Sequence, residues 1–333
     1  VELEALCFLL QRCIARLQQE TFDSARWLGH RIFHVDGSSF SMPDTPQLRA
    51  HFGQHGEQRP GCGFPTAHWL VMTHAATGMI AKMLAAPLRT HDMSKAVELH
   101  PELRANDVLV ADRGFCSYAH LALLLQRGVH GVLRIHQRII VDFTPGRSYV
   151  DPKKGKSKHT KGKPRSRWIR QLGTTDQIVE WFKPQEKPEW MSQEQFDALP
   201  SSIKVRELRY SVRKAGFRTK EITLVTTLLD DERYAKSSFA ELYRQRWEIE
   251  TNFAHLKTTM KMDVLKCQTL DGLLREMHVF AFIYNMVRQV MLAAARSQQV
   301  DVQRISFIDA IRWLQTAKAD GPMKQLVINP DRP

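Results

Sequence analysis

The run Val108–Ala111 (VLVA) constrains the fold of this chain more than any other segment. Four apolar residues in succession predict a strand buried on both faces, as in a sheet covered by helices. This run ends at Asp112, and a shorter strand, Arg31–Val35, ends at Asp36. Because strands and helices alternate along the chain, we expect an α/β fold with both acids beside the same sheet edge.

Other apolar patterns predict the elements around these strands. The runs His68–Thr73 and Met79–Ala85 flank a Thr-Gly turn and predict a hairpin. A long helix is expected from Ser238 to about Lys261, capped by one of two serines together with Glu241 in a capping box.

The character of the chain changes between residues 137 and 220. Short β-type runs alternate there with basic and proline-rich loops: Ile139–Phe143, Trp168–Leu172, Ile178–Phe182 and Val205–Val212. We therefore expect four parts: an N-terminal helical segment (1–28), a core (29–136 and 221–265), a β-rich basic insertion subdomain (137–220) and a C-terminal helical region (266–333).

The charge of the chain is concentrated in one segment. The net charge is +13 with a pI near 9.7, which indicates a polyanionic partner. Residues 147–170 contain ten basic residues against Asp151, so they contribute +9. The lysines of this basic segment are Lys153, Lys154, Lys156, Lys158, Lys161 and Lys163. A solvated, flexible loop is the alternative interpretation of the same residues.

Cysteines and apolar stretches indicate an intracellular chain. The five cysteines are scattered and form no zinc-binding spacing, so we expect reduced thiols. The longest apolar stretch, Val279–Val287, is too short to span a bilayer. With no signal-peptide pattern at the start, we expect a cytoplasmic protein.

Four polar residues share one face of the predicted long helix. At 100° per residue, Tyr243, Arg246, Glu250 and Lys257 fall on a stripe about 60° wide that borders the apolar face. Ordinary i,i+4 pairs on a helix surface are the alternative interpretation. The alignment of four such residues, together with two strand-end aspartates, favours a functional site.

The residue types fit phosphodiester chemistry. Asp36, Asp112 and Glu250 would converge on two Mg²⁺ or Mn²⁺ ions, which prefer carboxylate oxygens. Arg246 and Lys257 would offset phosphate charge. The alternative interpretation is that Asp36 and Asp112 are ordinary turn residues, since each is followed closely by glycine. Asp44 is another candidate for the first metal ligand, but its neighbouring prolines favour a turn.

The spacing Tyr243-x2-Arg246-x3-Glu250-x6-Lys257 matches the Y-x2-R-x3-E-x6-K signature of DDE transposases of the insertion sequence four family. The chain also resembles that family around Asp36 (HVDGSSFSMPDT) and Asp112 (VLVADRGF), and overall across residues 30–295.

The resemblance implies an RNase H-like catalytic core and cut-and-paste transposition through a hairpin intermediate. It implies that Asp36, Asp112 and Glu250 bind metal and that Tyr243, Arg246 and Lys257 contact DNA at the transposon ends. A homodimer holding two ends is implied as well. A tryptophan of the insertion would stack on a flipped base, and the candidates are Trp168, Trp181 and Trp190.

The chain departs from this family at its start. Only 35 residues precede Asp36, and the first residue is valine, so we expect an N-terminal truncation, an internally assigned start or a decayed element. Two other functions stay open. One is a nuclease that cuts DNA without strand transfer, and the other is a DNA-binding remnant without catalysis.

Overall fold

The structure is a computed structural model that describes residues 2–21, 26–54, 63–88, 90, 92–151, 162–212, 221–317 and 325–330. The described helices are α1 (Leu3–Thr21), α2 (Pro46–Phe52), α3 (Asp92–Ala96), α4 (Tyr118–Gln126), α5 (Gln193–Asp197), α6 (Lys236–Gln245), α7 (Glu248–Ala254), α8 (Leu270–Gln298) and α9 (Phe307–Thr316). The described strands are β1 (Ile32–Ser41), β2 (Thr66–His74), β3 (Ile80–Pro87), β4 (Val108–Ala111), β5 (His130–Arg134), β6 (Arg167–Gly173), β7 (Asp176–Phe182), β8 (Ser202–Ser211) and β9 (Glu221–Thr226).

The chain divides into two compact units. The first unit comprises Val1–Arg26, Gly37–Thr90 and Glu248–Pro333, and the second comprises Trp27–Asp36 and His91–Trp247. Both units contain strands and helices, so the expected mixed α/β class is confirmed.

The second unit is organised around a sheet with the strand order β1-β4-β5-β9-β8-β7-β6. The pairs β1–β4 and β4–β5 are parallel, whereas all pairs from β5 to β6 are antiparallel. The residues of Val108–Ala111 are all at most 2% exposed, which confirms the predicted central strand. Its apolar side chains have no polar atoms to solvate, so burial on both faces stabilises it.

A separate insertion subdomain at 137–220 is not confirmed. Strands β6, β7 and β8 lie in that range, but they continue the sheet of β5 through β9. The prediction of a strand at Ile139–Phe143 is wrong, because this segment has no regular secondary structure. The Asp142 carbonyl there accepts hydrogen bonds from the side chains of Arg147 (2.6 Å) and Gln177 (2.9 Å).

The first unit contains the predicted hairpin, since β2 and β3 pair in antiparallel fashion. Its turn is held by α8: Tyr284 donates to the Gly78 carbonyl (3.0 Å) and Arg288 donates to the Thr77 carbonyl (2.8 Å). Gly78 has φ +66°, and a Cβ there would lie 2.2 Å from Nη2 of the buried Arg288. The close approach and the backbone conformation therefore both require glycine.

Helix α8 is the longest apolar element in the described part of the chain. Among the described helices, it alone has the length and composition to cross a membrane. However, 56% of its most apolar stretch is buried inside the protein. Helices in protein cores meet the same criterion, and α8 contributes Met277, Ala281 and Val287 to the main apolar cluster of the first unit.

Candidate active site

Asp36 and Asp112 lie where the pairing between two neighbouring parallel strands, β1 and β4, comes to its end. Val35 on β1 pairs with Ala111, the last residue of β4, so Asp36 and Asp112 directly follow the last pair of these strands. Strand β1 itself continues to Ser41, so the prediction that it ends at Asp36 is wrong. Adjacent strands are about 4.8 Å apart, and residues at matching positions of parallel strands point to the same face. The expected placement of both acids beside one sheet edge is therefore observed.

Asp36 forms an ion pair with a residue of the predicted signature. Nη1 of Arg246 donates to Oδ2 of Asp36 at 2.9 Å, although 210 positions separate the two residues. The side chain of Arg246 is 7% exposed and that of Asp36 is 22% exposed. The guanidinium also lies over the rings of Tyr243 and Trp247, at 5.6 and 5.4 Å from their centroids. A cation thus contacts the carboxylate that the sequence assigns to metal binding.

Asp112 has one oxygen engaged by its own turn. Its Oδ1 accepts a hydrogen bond from the Gly114 amide at 2.7 Å, which caps a single 3₁₀ turn over Arg113–Phe115. A Cβ on Gly114 would lie 3.0 Å from that oxygen. The turn interpretation of this motif is therefore correct, and the same turn orients the half-buried carboxylate at the strand end.

Tyr243 lies on α6, in the same unit as both aspartates. Its ring is 1% exposed, and its hydroxyl has no hydrogen-bond partner among the described residues. Burial raises the pKa of Tyr243, while the nearby charges of Arg246 and Arg134 oppose that rise. The hydroxyl of Tyr210 on β8 is also buried and lacks a partner within the described ranges, and burial raises its pKa too. A buried hydroxyl without a partner is costly unless a ligand satisfies it.

Arg134 lies beside the two aspartates, and the sequence analysis did not single it out. Leu133 on β5 pairs with Ala111, so Arg134 is level with Asp36 and Asp112 and is the third residue of one row across β1, β4 and β5. The signal was available, because Gly131–Ile135 reads as a short apolar strand that contains one arginine. What the sequence does not reveal is that β5 lies directly beside β4.

The prediction of one long helix from Ser238 to about Lys261 is wrong, because the structure has two helices there. Helix α6 ends at Gln245, and i→i+3 bonds from the Arg246 and Trp247 amides close its last turn before α7 begins at Glu248. The helix starts at Lys236 with Ala235 as a cap without side-chain bonding, so the serine capping box is also wrong.

Glu250 and Lys257 belong to the first unit, whereas Tyr243 and Arg246 belong to the second. Glu250 is exposed in the first turn of α7. Lys257 lies in a wide turn that follows α7, where its Nζ donates to the Ser39 carbonyl (2.9 Å) and to Ser38 Oγ (3.3 Å). In this geometry Lys257 holds the second half of β1.

The metal prediction receives partial support from the donor atoms. Asp36 and Asp112 carry carboxylate oxygens at neighbouring positions, and such oxygens are the donors that a divalent cation prefers. Within the described ranges, however, no three Asp, Glu, His or Cys side chains form a group that could hold a metal ion. Asp44, the rival ligand, pairs with Arg49 at 2.6 Å near the start of α2.

Most of the predicted DNA-contacting lysines lie outside the described residues. These are Lys153, Lys154, Lys156, Lys158 and Lys161. Lys163 is exposed and lines a cavity of about 640 Å³ together with Arg165 and Trp181.

The tryptophans differ in their surroundings. Trp181 is 7% exposed, and its Nε1 donates to the buried Glu207 at 2.8 Å, as expected of a core residue. Trp168 on β6 is half-buried and donates to Gln171 at 3.3 Å. Trp190 is also half-buried. Exposure alone therefore leaves Trp168 and Trp190 as the more accessible candidates for stacking.

Comparison with known proteins identifies the family. The model of the transposase DDE domain matches residues 27–286, which include every signature residue and both aspartates. The transposase InsG for insertion sequence element IS4 of Escherichia coli (strain K12) is 22% identical over 284 residues, which cover 84% of this chain and 57% of InsG. The putative transposase InsZ of the same organism is 24% identical over 103 residues, which cover 31% of this chain and 34% of InsZ.

One solved structure is also similar, a piggyBac transposase synaptic complex with hairpin DNA. It matches with a TM-score of 0.45 and 12% identity, covering 85% of this chain and 51% of the piggyBac chain. The chain spans about half the length of the proteins it matches over most of its sequence. Because the family model covers more than half of the chain, this protein belongs to the transposase DDE domain family.

Proposed function

We propose that this chain is the catalytic part of a DNA transposase that cuts at transposon ends and joins them to a target by a cut-and-paste route with a hairpin intermediate. One observation supports the proposal: Asp36 and Asp112 follow directly after the last pair between the parallel strands β1 and β4, in a chain of the DDE family. The proposed architecture is an RNase H-like core, with residues 137–220 as a DNA-binding insertion.

Transposases of this family generally use divalent metal ions. Asp36 and Asp112 would hold the metal together with Glu250, and we propose two Mg²⁺ (or Mn²⁺) ions. When bound, such ions activate the attacking oxygen and stabilise the leaving one. Asp112 is presented by its capped turn, which fixes its carboxylate before substrate arrives.

Arg246 has a double role in this proposal. Without DNA, it neutralises Asp36 through the 2.9 Å ion pair. A phosphate that approaches Asp36 meets this guanidinium, whose planar donors suit phosphate oxygens. The ring of Tyr243 lies under this guanidinium, with its centroid 5.6 Å from Cζ of Arg246. The buried hydroxyl of Tyr243 would gain a hydrogen-bond acceptor when the phosphate binds.

The reaction is a phosphoryl transfer to water and then to a DNA hydroxyl. In the first cut, a water oxygen attacks phosphorus, the bond from phosphorus to the 3′ oxygen breaks, and that oxygen leaves as a 3′-hydroxyl after protonation. The free 3′-hydroxyl then attacks the opposite strand to form the hairpin. Each step exchanges one P–O bond for another, so no oxidant or energy source is required.

The proposed partners are double-stranded DNA in two forms, the terminal inverted repeats of the element and the target. A homodimer would hold two ends together in the synaptic complex. We place the protein in the bacterial cytoplasm, associated with the nucleoid.

The test is cleavage of DNA carrying the inverted repeats that flank the gene, with Mg²⁺ or Mn²⁺. We expect nicked and hairpin products from the wild type. Replacing any one of Asp36, Asp112 or Glu250 by Ala should abolish these products and leave DNA binding largely intact. The matched control is Asp44→Ala, since Asp44 is an acid in an exposed ion pair with Arg49 and should be dispensable.

Each outcome separates the alternatives. Cleavage that persists in one Ala variant removes that residue from the metal site. Cleavage by the wild type without joined products, when target DNA is supplied, indicates a nuclease. Binding without any cleavage indicates a non-catalytic remnant of a transposase.

A further inference from the structure

A small basic pocket lies in the second unit, at the end of β5. Its volume is about 250 Å³. The residues that line it are Arg113, Arg134, Ile135, His136, Gln137, Ile139, Val141, Arg209, Glu221 and Thr223. We call it the arginine pocket, because three guanidinium groups face one carboxylate there.

The positive charge of the arginine pocket is poorly compensated. Arg113 is exposed and donates to the amide oxygen of Gln137 at 3.0 Å, which carries no charge. Arg209 lies 3.9 Å from Glu221, whose side chain is 59% exposed, so this pair is weak.

Arg134 is the unusual member of the pocket. It is half-buried, and it has no hydrogen-bond or carboxylate partner among the described residues. A partly buried guanidinium that forms no ion pair is unfavourable in the isolated protein. A ligand with negative charge would remove that penalty, and a guanidinium binds phosphate oxygens through two parallel hydrogen bonds.

The arginine pocket shares Arg134 with the row that Asp36, Asp112 and Arg134 form across the sheet. Arg134 occupies the same position on β5 as Asp112 on β4, and Arg113 directly follows Asp112 in the chain. An anion in the arginine pocket would therefore be held one strand away from Asp112.

We propose that the arginine pocket binds a phosphodiester group of the DNA backbone, with Arg134 as its principal contact and Arg113 as its second. This inference rests on the proposed function, since it assigns a DNA contact outside the Y-x2-R-x3-E-x6-K residues. Binding here fixes the position of a DNA strand beside Asp112. Because the contact is to the backbone, it acts on all sequences alike.

The experiment measures binding of a fluorescein-labelled DNA duplex to the full chain, in EDTA, over a series of salt concentrations. Arg134→Gln should weaken binding about tenfold and reduce the slope of log K against log salt by about 1, as expected for the loss of one phosphate contact. Arg134→Lys keeps the charge and should lose less affinity. Arg113→Gln should act in the same direction, and its exposed side chain makes unfolding of this variant no concern.

The matched control is Arg127→Gln. Arg127 is an exposed arginine at the C-terminal end of α4, just before β5 begins, so it lies at the opposite end of the strands. Its replacement removes the same charge and should change affinity less than about twofold. Thermal unfolding of every variant checks that the fold is retained.

The inference is overturned if Arg134→Gln and Arg127→Gln bind DNA equally well and with equal salt slopes. It is also overturned if Arg134→Gln loses only the binding of inorganic phosphate, measured by calorimetry, because the pocket would then serve a free anion. A wild type that does not bind DNA at all contradicts the proposed function itself. Binding without a difference between the variants contradicts this inference alone.

Discussion

At the scale of single residues, two buried histidines form a contact that none of the proposed chemistry uses. Nε2 of His100 lies 2.6 Å from Nε2 of His120, and the residues are 3% and 0% exposed. Desolvation lowers the pKa of His100 to about 2 and that of His120 to about 4. Both rings are therefore neutral at neutral pH, with one nitrogen donating and the other accepting.

This pair predicts a loss of stability in mild acid. The pKa values are lower in the folded chain, so between the unfolded value near 6.5 and the folded values only the unfolded chain takes up protons. The stability contributed above pH 6.5 is lost as the pH falls, by about 2 kcal/mol per histidine between pH 7 and pH 5. Urea unfolding of the wild type and of His120→Gln at both pH values checks this prediction. An equal pH dependence in the two proteins would contradict it.

At the scale of elements, the start of α6 lacks the stabilisation that its sequence suggested. Ala235 occupies the cap position with φ −59° and ψ 145° and offers no side-chain acceptor, although two serines follow within the helix. The first amides of α6 therefore have no capping side chain. The helix begins two residues earlier than the serines predicted. The missing cap lowers the stability of the helix, and burial of Phe239 and Leu242 offsets this loss.

Restoring a cap should stabilise the protein. Ala235 is exposed and already has the extended backbone that a cap residue adopts, so Ala235→Ser places a side-chain acceptor beside the first amides of the helix without rearrangement. We expect a gain of about 1 kcal/mol in the free energy of unfolding. Ala235→Leu is the control, since leucine cannot accept a hydrogen bond. Equal stability of the Ser and Leu variants would mean that the cap has no effect at this helix.

At the scale of the whole molecule, the charge distribution indicates how the protein meets DNA. The net charge of +13 includes the +9 of residues 147–170. Lys163, which belongs to this segment, lines the cavity of about 640 Å³ together with Arg138 and Arg165. Electrostatic attraction of this kind needs no fixed geometry and is independent of sequence, so it adds to the defined contacts proposed for Arg246 and the arginine pocket.

Replacing the six lysines of the basic segment by glutamine should weaken binding to all DNA sequences. If each lysine neutralises one phosphate, the slope of log K against log salt falls by up to about 5. Binding to the terminal repeats and to an unrelated duplex, measured over a salt series, checks the prediction. The ratio of the two affinities is the internal control and should stay constant. Unchanged binding would instead identify the segment as a solvated loop.

Local patterns were sufficient for several elements of the fold and for part of the candidate site. The run Val108–Ala111 predicts its own burial, and the Thr-Gly turn predicts the hairpin, because both depend on neighbouring residues. The apolar runs before Asp36 and Asp112 also predicted that the two acids lie beside each other, although β1 continues past Asp36 to Ser41 and only its pairing with β4 ends there. The spacing of Tyr243 to Lys257 indicated the family, which is confirmed.

The sequence by itself therefore determined the family, whereas the tertiary structure decided how the residues of its signature and the two aspartates are arranged. The ion pair of Asp36 with Arg246 joins positions 210 residues apart, and the break between α6 and α7 separates Arg246 from Glu250. Arg134 lies in one row with Asp36 and Asp112 because β5 pairs with β4. The spacing of apolar residues along the sequence indicates only which residues share a face of one helix or strand. The pairing of strands and the ends of helices depend on packing between distant segments, which no local pattern records.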